Sequence, residues 1–226
     1  MGIVLPRWVW IGTACLAAIA GMINAIGYLG YEHQAVTHLT GTTTLLGVAL
    51  AHGQGRVALD LVLVALSFVF GAVLSGLIIQ DSTLKLGRRY GVVLAVEAAC
   101  LFAAVPLMER DVHAGVMLAA VACGLQNAMA TTYSGALIRT THLTGLFTDV
   151  GVALGHWLRG LPVGTRRVWL CLVVICGFLA GGAIGAVLFQ AWSYRALYVP
   201  AMLTGITGVS YALYRHWALR RPVRGG

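Results

Sequence analysis

A five-residue stretch occurs twice in this chain: Thr37-His38-Leu39-Thr40-Gly41 returns as Thr141-His142-Leu143-Thr144-Gly145. Its surroundings return with it. Gly47 to His52 reappears 104 residues later as Gly151 to His156, and upstream Gly21 and Asn24-Ala25 reappear after 103 residues as Gly124 and Asn127-Ala128. A single long period of this kind describes two copies of one unit, and polar residues repeated inside apolar sequence point to a transporter or channel. The apolar setting is unambiguous, because 59% hydrophobic and 10% charged residues over 226 positions leave too little polar surface for a water-soluble fold.

At about 20 apolar residues per crossing, spans are expected near Trp8 to Leu29, Val57 to Ile79, Gly91 to Leu107, Val112 to Tyr133, Val168 to Phe189 and Ala196 to Tyr214. The fold class is therefore an all-α integral membrane protein with three spans in each half. The first repeat covers 1–109, the second 110–217, and 218–226 is a basic cytoplasmic tail. Cys15, Cys100, Cys123, Cys171 and Cys176 all fall within spans without a CxxC pair, so they read as small buried residues. Ala18-Ile19-Ala20 after Arg7 resembles a signal-peptidase site, but its counterpart in the second copy, 119–123, lies in mid-chain.

The repeated motif precedes a short apolar run. Gly41 to His52 is 12 residues, about 18 Å as a helix against a hydrocarbon core of about 30 Å. Gly145 to Trp157 has the same form, so both copies are expected to hold a re-entrant half-helix. Complete crossings are the alternative, and positive charge favours the first. With re-entrant segments, Arg7, Lys85, Arg88, Arg89, Arg139, Arg159, Arg166, Arg167, Arg215, Arg220, Arg221 and Arg224 share one side, leaving three of the 15 basic residues, Arg56, Arg110 and Arg195, opposite. Complete crossings would give a weaker ten-to-five bias. Six spans with both termini cytoplasmic in a bacterial inner membrane follow. Three spans per half turn the second half upside down, an inverted-topology repeat.

Such half-helices place unpaired N–H groups and the positive dipole end near the bilayer midplane, where a negative or strongly dipolar solute is favoured. Thr40 and Thr144 are expected as N-caps. The substrate-binding residues are then Asn24, His38, Thr40, Asn127, His142 and Thr144, the histidines binding solute or relaying protons. The bland counterpart is a helix break whose polar groups satisfy local backbone. Glu97, inside a span, and Asp149, on the second half-helix, are candidates for proton coupling. Glu97 serves equally as a hydrogen-bonded neutral acid, and Asp149 as a complement to the helix dipole.

Small residues at four-residue spacing, Ser67, Gly71 and Ser75, and Gly177, Gly181 and Gly185, mark close-packing helix faces. They fit either a contact between the halves or pairing with a second copy, so a homo-oligomer is a candidate partner alongside membrane lipid. Arg139 fits the positive-inside pattern better than an anion site. His38, His52, His142 and His156 lack a carboxylate or cysteine at ligand spacing, so no metal or cofactor is expected. Three arginines in the tail suit anionic headgroups, not nucleic acid.

At Gly21 to Ala25 followed by His38-Leu39-Thr40-Gly41, and at Gly124-Leu125-Gln126-Asn127-Ala128 followed by Thr144-Gly145, the chain resembles the YoaK-like family of bacterial membrane proteins of unknown function, over nearly its whole length. In the family pattern an aspartate often precedes the alanine where this chain has Asn24, and an asparagine often follows Thr-Gly where it has Thr42. The resemblance implies a membrane location and fold but no substrate. No HExxH, GxSxG or nucleophile and base pair suggests an enzyme. The expected function is transport of a small polar or anionic solute through a central site at the two motifs; the alternative is a non-transporting assembly or signalling subunit that uses its glycine-rich helix faces.

Overall fold

The computed structural model describes residues 7–31, 39–79, 88–134 and 140–220. The described residues are helical, in the order α1 (Arg7–Gly30), α2 (Leu39–Ala51), α3 (Gly55–Ile78), α4 (Arg88–Arg110), α5 (Val112–Ser134), α6 (Leu143–Leu158), α7 (Thr165–Trp192) and α8 (Tyr198–Arg220), with a 3-10 turn, Ser193–Leu197, between the last two. Five stretches are long and apolar enough to cross a membrane: Trp10–Gly30, Gly55–Ile78, Arg89–Arg110, Val112–Thr132 and Thr165–Tyr211. The last, at 47 residues, would be about 70 Å long as one helix. It is broken instead at Ser193, whose φ of 50° takes the backbone out of the helical region, so the chain turns there and α8 packs on α4 while α7 packs on α1. The chain is a multi-pass α-helical membrane protein, and its outer surface suits lipid: Leu66, Phe70 and Leu77 on α3, Leu179 and Val187 on α7, and Ile206 on α8 are all exposed.

Glycines set how the long helices meet. On α7, Gly177, Gly181 and Gly185 lie against Ala14, Ala18 and Met22 of α1, so the two helices run in the same direction. A Cβ on Gly181 would overlap the Ala18 carbonyl, and one on Gly21 would overlap the Phe178 carbonyl and meet Gly182. The same contact recurs between α5 and α3. Gly124 faces the Phe68 carbonyl and Ala72, and Gly71 faces the Val121 carbonyl. Each residue stands 103 positions from its counterpart on α1 and α5, or 110 on α3 and α7. The glycine faces thus join the halves crosswise, α3 to α5 and α7 to α1, and α3 and α7 do not pack on each other.

The remaining long contacts give direction. Gly205 and Gly208 of α8 lie on Ala98 and Leu94 of α4, and the Phe102 and Tyr198 rings meet at 5.7 Å, so α4 and α8 are antiparallel. At one end of the bundle, His113 of α5 approaches Tyr31 at the end of α1 (2.8 Å) and Asp60 of α3 (3.7 Å). Arg195 of the 3-10 turn bonds Glu109 of α4 at 2.8 Å, and the Tyr194 hydroxyl donates to the Gly30 carbonyl. At the other end, Ile79, Tyr90 and Met129 form a cluster with Leu16 and Tyr211. The main core between them is built on Ile23, Ile26, Leu101, Val105, Val116 and Ala119.

The two short helices hang on this frame. From α2 the chain turns at Gly53, φ 67°, and runs back along itself as α3, with Ala49 buried on Ala58 and Leu61. From α6 it turns at Gly160, φ 71°, into α7, with Leu146 buried among Leu170, Cys171 and Val174. Glycine is the residue that adopts this left-handed geometry without steric cost. Neither short helix touches the other among the described residues; α2 packs on α3 and α6 on α7.

The glycine crossings predict a contrast measurable by thermal denaturation in detergent. Gly181→Ala, which drives a methyl into the Ala18 carbonyl, is expected to destabilise by about 1–3 kcal/mol, the usual cost of overpacking. Gly76→Ala on α3, where a methyl meets nothing within 4 Å, is expected to be neutral or stabilising. Equal effects of the two changes would count against this packing.

Candidate functional site

The repeated motif opens the short helices. At 13 and 16 residues they are about 20 and 24 Å long. Their C-terminal turns lie beside the starts of α3 and α7, so their first residues reach toward the middle of the bundle. Leu39 packs on the main core that includes Val64 and Phe68, and Leu143 on the cluster that includes Val174.

Thr144 was expected as the cap of α6, but the capping position is His142, so Thr144 lies inside the first turn. The reason is local. A Cβ on Gly145 would fall on the His142 ring, so the glycine of the motif makes the space in which the imidazole folds over the helix start. His142 makes no side-chain cap bond, so its own ring does not satisfy the first N–H groups of α6. In α2, Thr40 is likewise within the helix, and His38 lies outside the described residues. Thr44 donates to the Thr40 carbonyl at 3.0 Å and Thr148 to the Thr144 carbonyl at 2.9 Å, the same bond in both copies, and Thr43 donates to Leu39 at 2.8 Å. These bonds satisfy hydroxyls in apolar surroundings and leave Thr40, Thr144 and His142 exposed at the helix starts.

Asn24 and Asn127 are half-buried on α1 and α5, helices that touch each other. The structure thus brings these two elements together while keeping the motif helices apart. The Asn127 Oδ1 is buried and, among the described residues, without a hydrogen-bond partner, which marks it as an acceptor seeking a donor. Its neighbour Gln126 is fully buried and donates to the Leu16 carbonyl at 3.2 Å, tying α5 to α1. Thr140, also fully buried with its hydroxyl unpartnered among the described residues, sits two positions before His142. Neither Gln126 nor Thr140 was picked out by the sequence as a functional residue. Gln126 stood beside Asn127 in a mid-span position, and Thr140 carries no counterpart signal, since residue 36 is Val.

The two acids differ in kind. Asp149 accepts from Arg167 of α7 through both oxygens at 3.1 Å, at a partly exposed position. An exposed pair of this kind contributes roughly 0.2–1 kcal/mol and here fixes the end of the α6–α7 hairpin. Glu97 is fully buried on α4, an element that packs on neither α2 nor α6. Ser67 is half-buried; Ser75 is buried on α3. Among the described residues no group of three metal-ligating side chains occurs.

Comparison with known proteins agrees with this architecture. Residues 12–210 match the family described as protein of unknown function DUF1275. A relative in Rhizobium meliloti (strain 1021), UPF0700 transmembrane protein RA0705, is 30% identical over 93% of this chain and 91% of its own length. UPF0700 transmembrane protein YoaK of Bacillus subtilis (strain 168) is 28% identical over 83% of this chain and 87% of its own. No solved structure matches. With a match across nearly all of its helical residues, the chain belongs to the DUF1275 family, the YoaK-like transmembrane proteins of unknown function.

Proposed function

We propose that this protein is a transporter for a small polar or anionic solute, with its site where the repeated motifs begin the two short helices. The observation that carries this reading is a pair of half-length helices with the same polar start, entering the bundle from opposite ends. Non-helical backbone at membrane depth is tolerated where it is buried in protein or lines water, and a helix start there offers donors to negative or dipolar groups.

The six long helices are read as six spans, with α2 and α6 re-entrant and the halves related as an inverted-topology repeat. Helix directions support this. Tyr31 and Asp60 meet at His113, so the chain leaves α1 and enters α3 at one end of the bundle, and α2 returns to the end it came from. If α6 crossed, α8 would run parallel to α4; the Gly205–Ala98 and Gly208–Leu94 contacts make it antiparallel. The charge asymmetry then puts both termini in the cytoplasm of a bacterial inner membrane.

Solute contacts are assigned to Asn24, His38, Thr40, Asn127, His142 and Thr144. The N–H groups at the start of α6 lie within the same turn as the His142 ring, and Asn127 supplies a buried acceptor. An assembly subunit is the weaker reading, because Gly71, Gly181 and Gly185 are consumed by contacts inside the molecule and leave no glycine face there for a partner.

Topology is tested with single cysteines at Gln54→Cys and Gly164→Cys in a cysteine-free background. A membrane-impermeant maleimide is expected to label the first from outside intact cells and the second only after permeabilisation; labelling of both from one face would reject the inverted repeat. Function is tested by a thermal-shift screen of small anions, organic acids, nucleobases and amino acids, since a ligand at 100 times its Kd stabilises by about 2.7 kcal/mol. A stabilising compound should enter proteoliposomes, and Asn127→Ala and His142→Ala should each weaken its binding about tenfold, the loss of a roughly 1.4 kcal/mol contact. Stabilisation without flux, or flux indifferent to both changes, would point away from a transport site at the motifs.

A further inference from the structure

We propose that Glu97 is a proton-binding site within the α4–α8 contact, separate from the repeated motifs, which holds its proton in this packing and releases it when α8 moves away from α4.

Every other acid among the described residues has a partner at the rim. Asp149 is paired with Arg167, Glu109 with Arg195 and Asp60 with His113, while Asp111 accepts the His113 backbone N–H at 3.0 Å. Glu97 has no exposed surface and stands near the middle of α4, and neither of its oxygens has a hydrogen bond of ordinary geometry among the described residues. An ionised carboxylate so placed is strongly disfavoured, so the neutral acid is the form that fits.

The surroundings are built by the helix crossing. Gly205 and Gly208 let α8 come down on Ala98 and Leu94, which sets Thr204 over Glu97. Thr204 is itself fully buried, and its hydroxyl is the side-chain hydrogen-bonding group set against the carboxyl. The Cys123 thiol of α5 and the Cys100 thiol of the next turn of α4 both sense Glu97 electrostatically. Arg195 of the 3-10 turn, which packs on α4, is held at the helix end by Glu109. No cation among them compensates a carboxylate. The carboxyl has a neutral hydroxyl beside it and no cation, so an ionised carboxylate is left short of partners in this packing. A conformation that admits water between α4 and α8 supplies those partners and permits the proton to leave, so protonation favours the closed contact and deprotonation the open one.

The inference stands independently of the transport reading and is tested on the full-length protein in lipid by infrared difference spectroscopy between acid and alkaline buffer. Expected is a carbonyl stretch of a buried neutral carboxylic acid that disappears at alkaline pH. It should be lost in the isosteric Glu97→Gln variant and titrate with a shifted midpoint in Glu97→Asp. An identical difference spectrum in Glu97→Gln would overturn the assignment, as would a Glu97 band that persists unchanged across the pH range, the mark of an acid that never gives up its proton. Should Glu97→Gln fail to fold, the midpoint in Glu97→Asp decides alone.

Discussion

Everything in this fold depends on backbone touching backbone. In lipid the hydrophobic effect does not drive one helix against another, and association rests on close van der Waals packing and interhelical hydrogen bonds. Gly21 and Gly181 on one side, and Gly124 and Gly71 on the other, bring helix axes so close that a methyl group would collide with a carbonyl oxygen. These crossings hold α1 and α5 in the interior and carry α3 and α7 outside them. The motif helices, which among the described residues pack on α3 and α7, are positioned by the same four glycines.

Polar groups are sorted by what the surroundings can offer them. At the ends of the bundle acids find arginine or histidine, and threonines along α2 and α6 find carbonyls four residues back. In the interior, Gln126 reaches a carbonyl of another helix, whereas Glu97 and Thr204 have only each other. A charge at the centre of a bilayer costs about 2.5–3.5 kcal/mol even on permissive scales, several times what an exposed pair such as Asp149–Arg167 contributes. Retaining an acid there is therefore more informative than any ion pair at the rim.

The sequence made the helices legible because span length and apolarity are enforced by the bilayer. Val112 to Tyr133 was expected and Val112–Ser134 is helical; Val57 to Ile79 was expected and Gly55–Ile78 is helical. The repeat also made the short helices legible, 41–52 against Leu39–Ala51 and 145–157 against Leu143–Leu158. What could not be read was which polar residue does what. Thr144 has the chemistry of a cap, but the His142 ring settles over Gly145 and moves the helix start back two residues. Thr204 sits in an apolar run with nothing to distinguish it from Thr207, which bonds its own helix at 2.7 Å; only the facing of α4 and α8 separates the two. The glycine stripes gave packing faces without naming their partners, since a period of four states that a helix is approached closely, not by what.

The crosswise pairing also fixes an order of events during synthesis. The partner of α1 is α7, which begins 135 residues after α1 ends, an interval of roughly 7–27 s at 5–20 residues per second. Through that time the first helix and its exposed glycine notch stand in the membrane unmatched, while α5 arrives to claim α3. Neither half closes its own core, so the nascent chain completes its first contact nearly last, and the N-terminal half waits for the C-terminal half before either is a folded object.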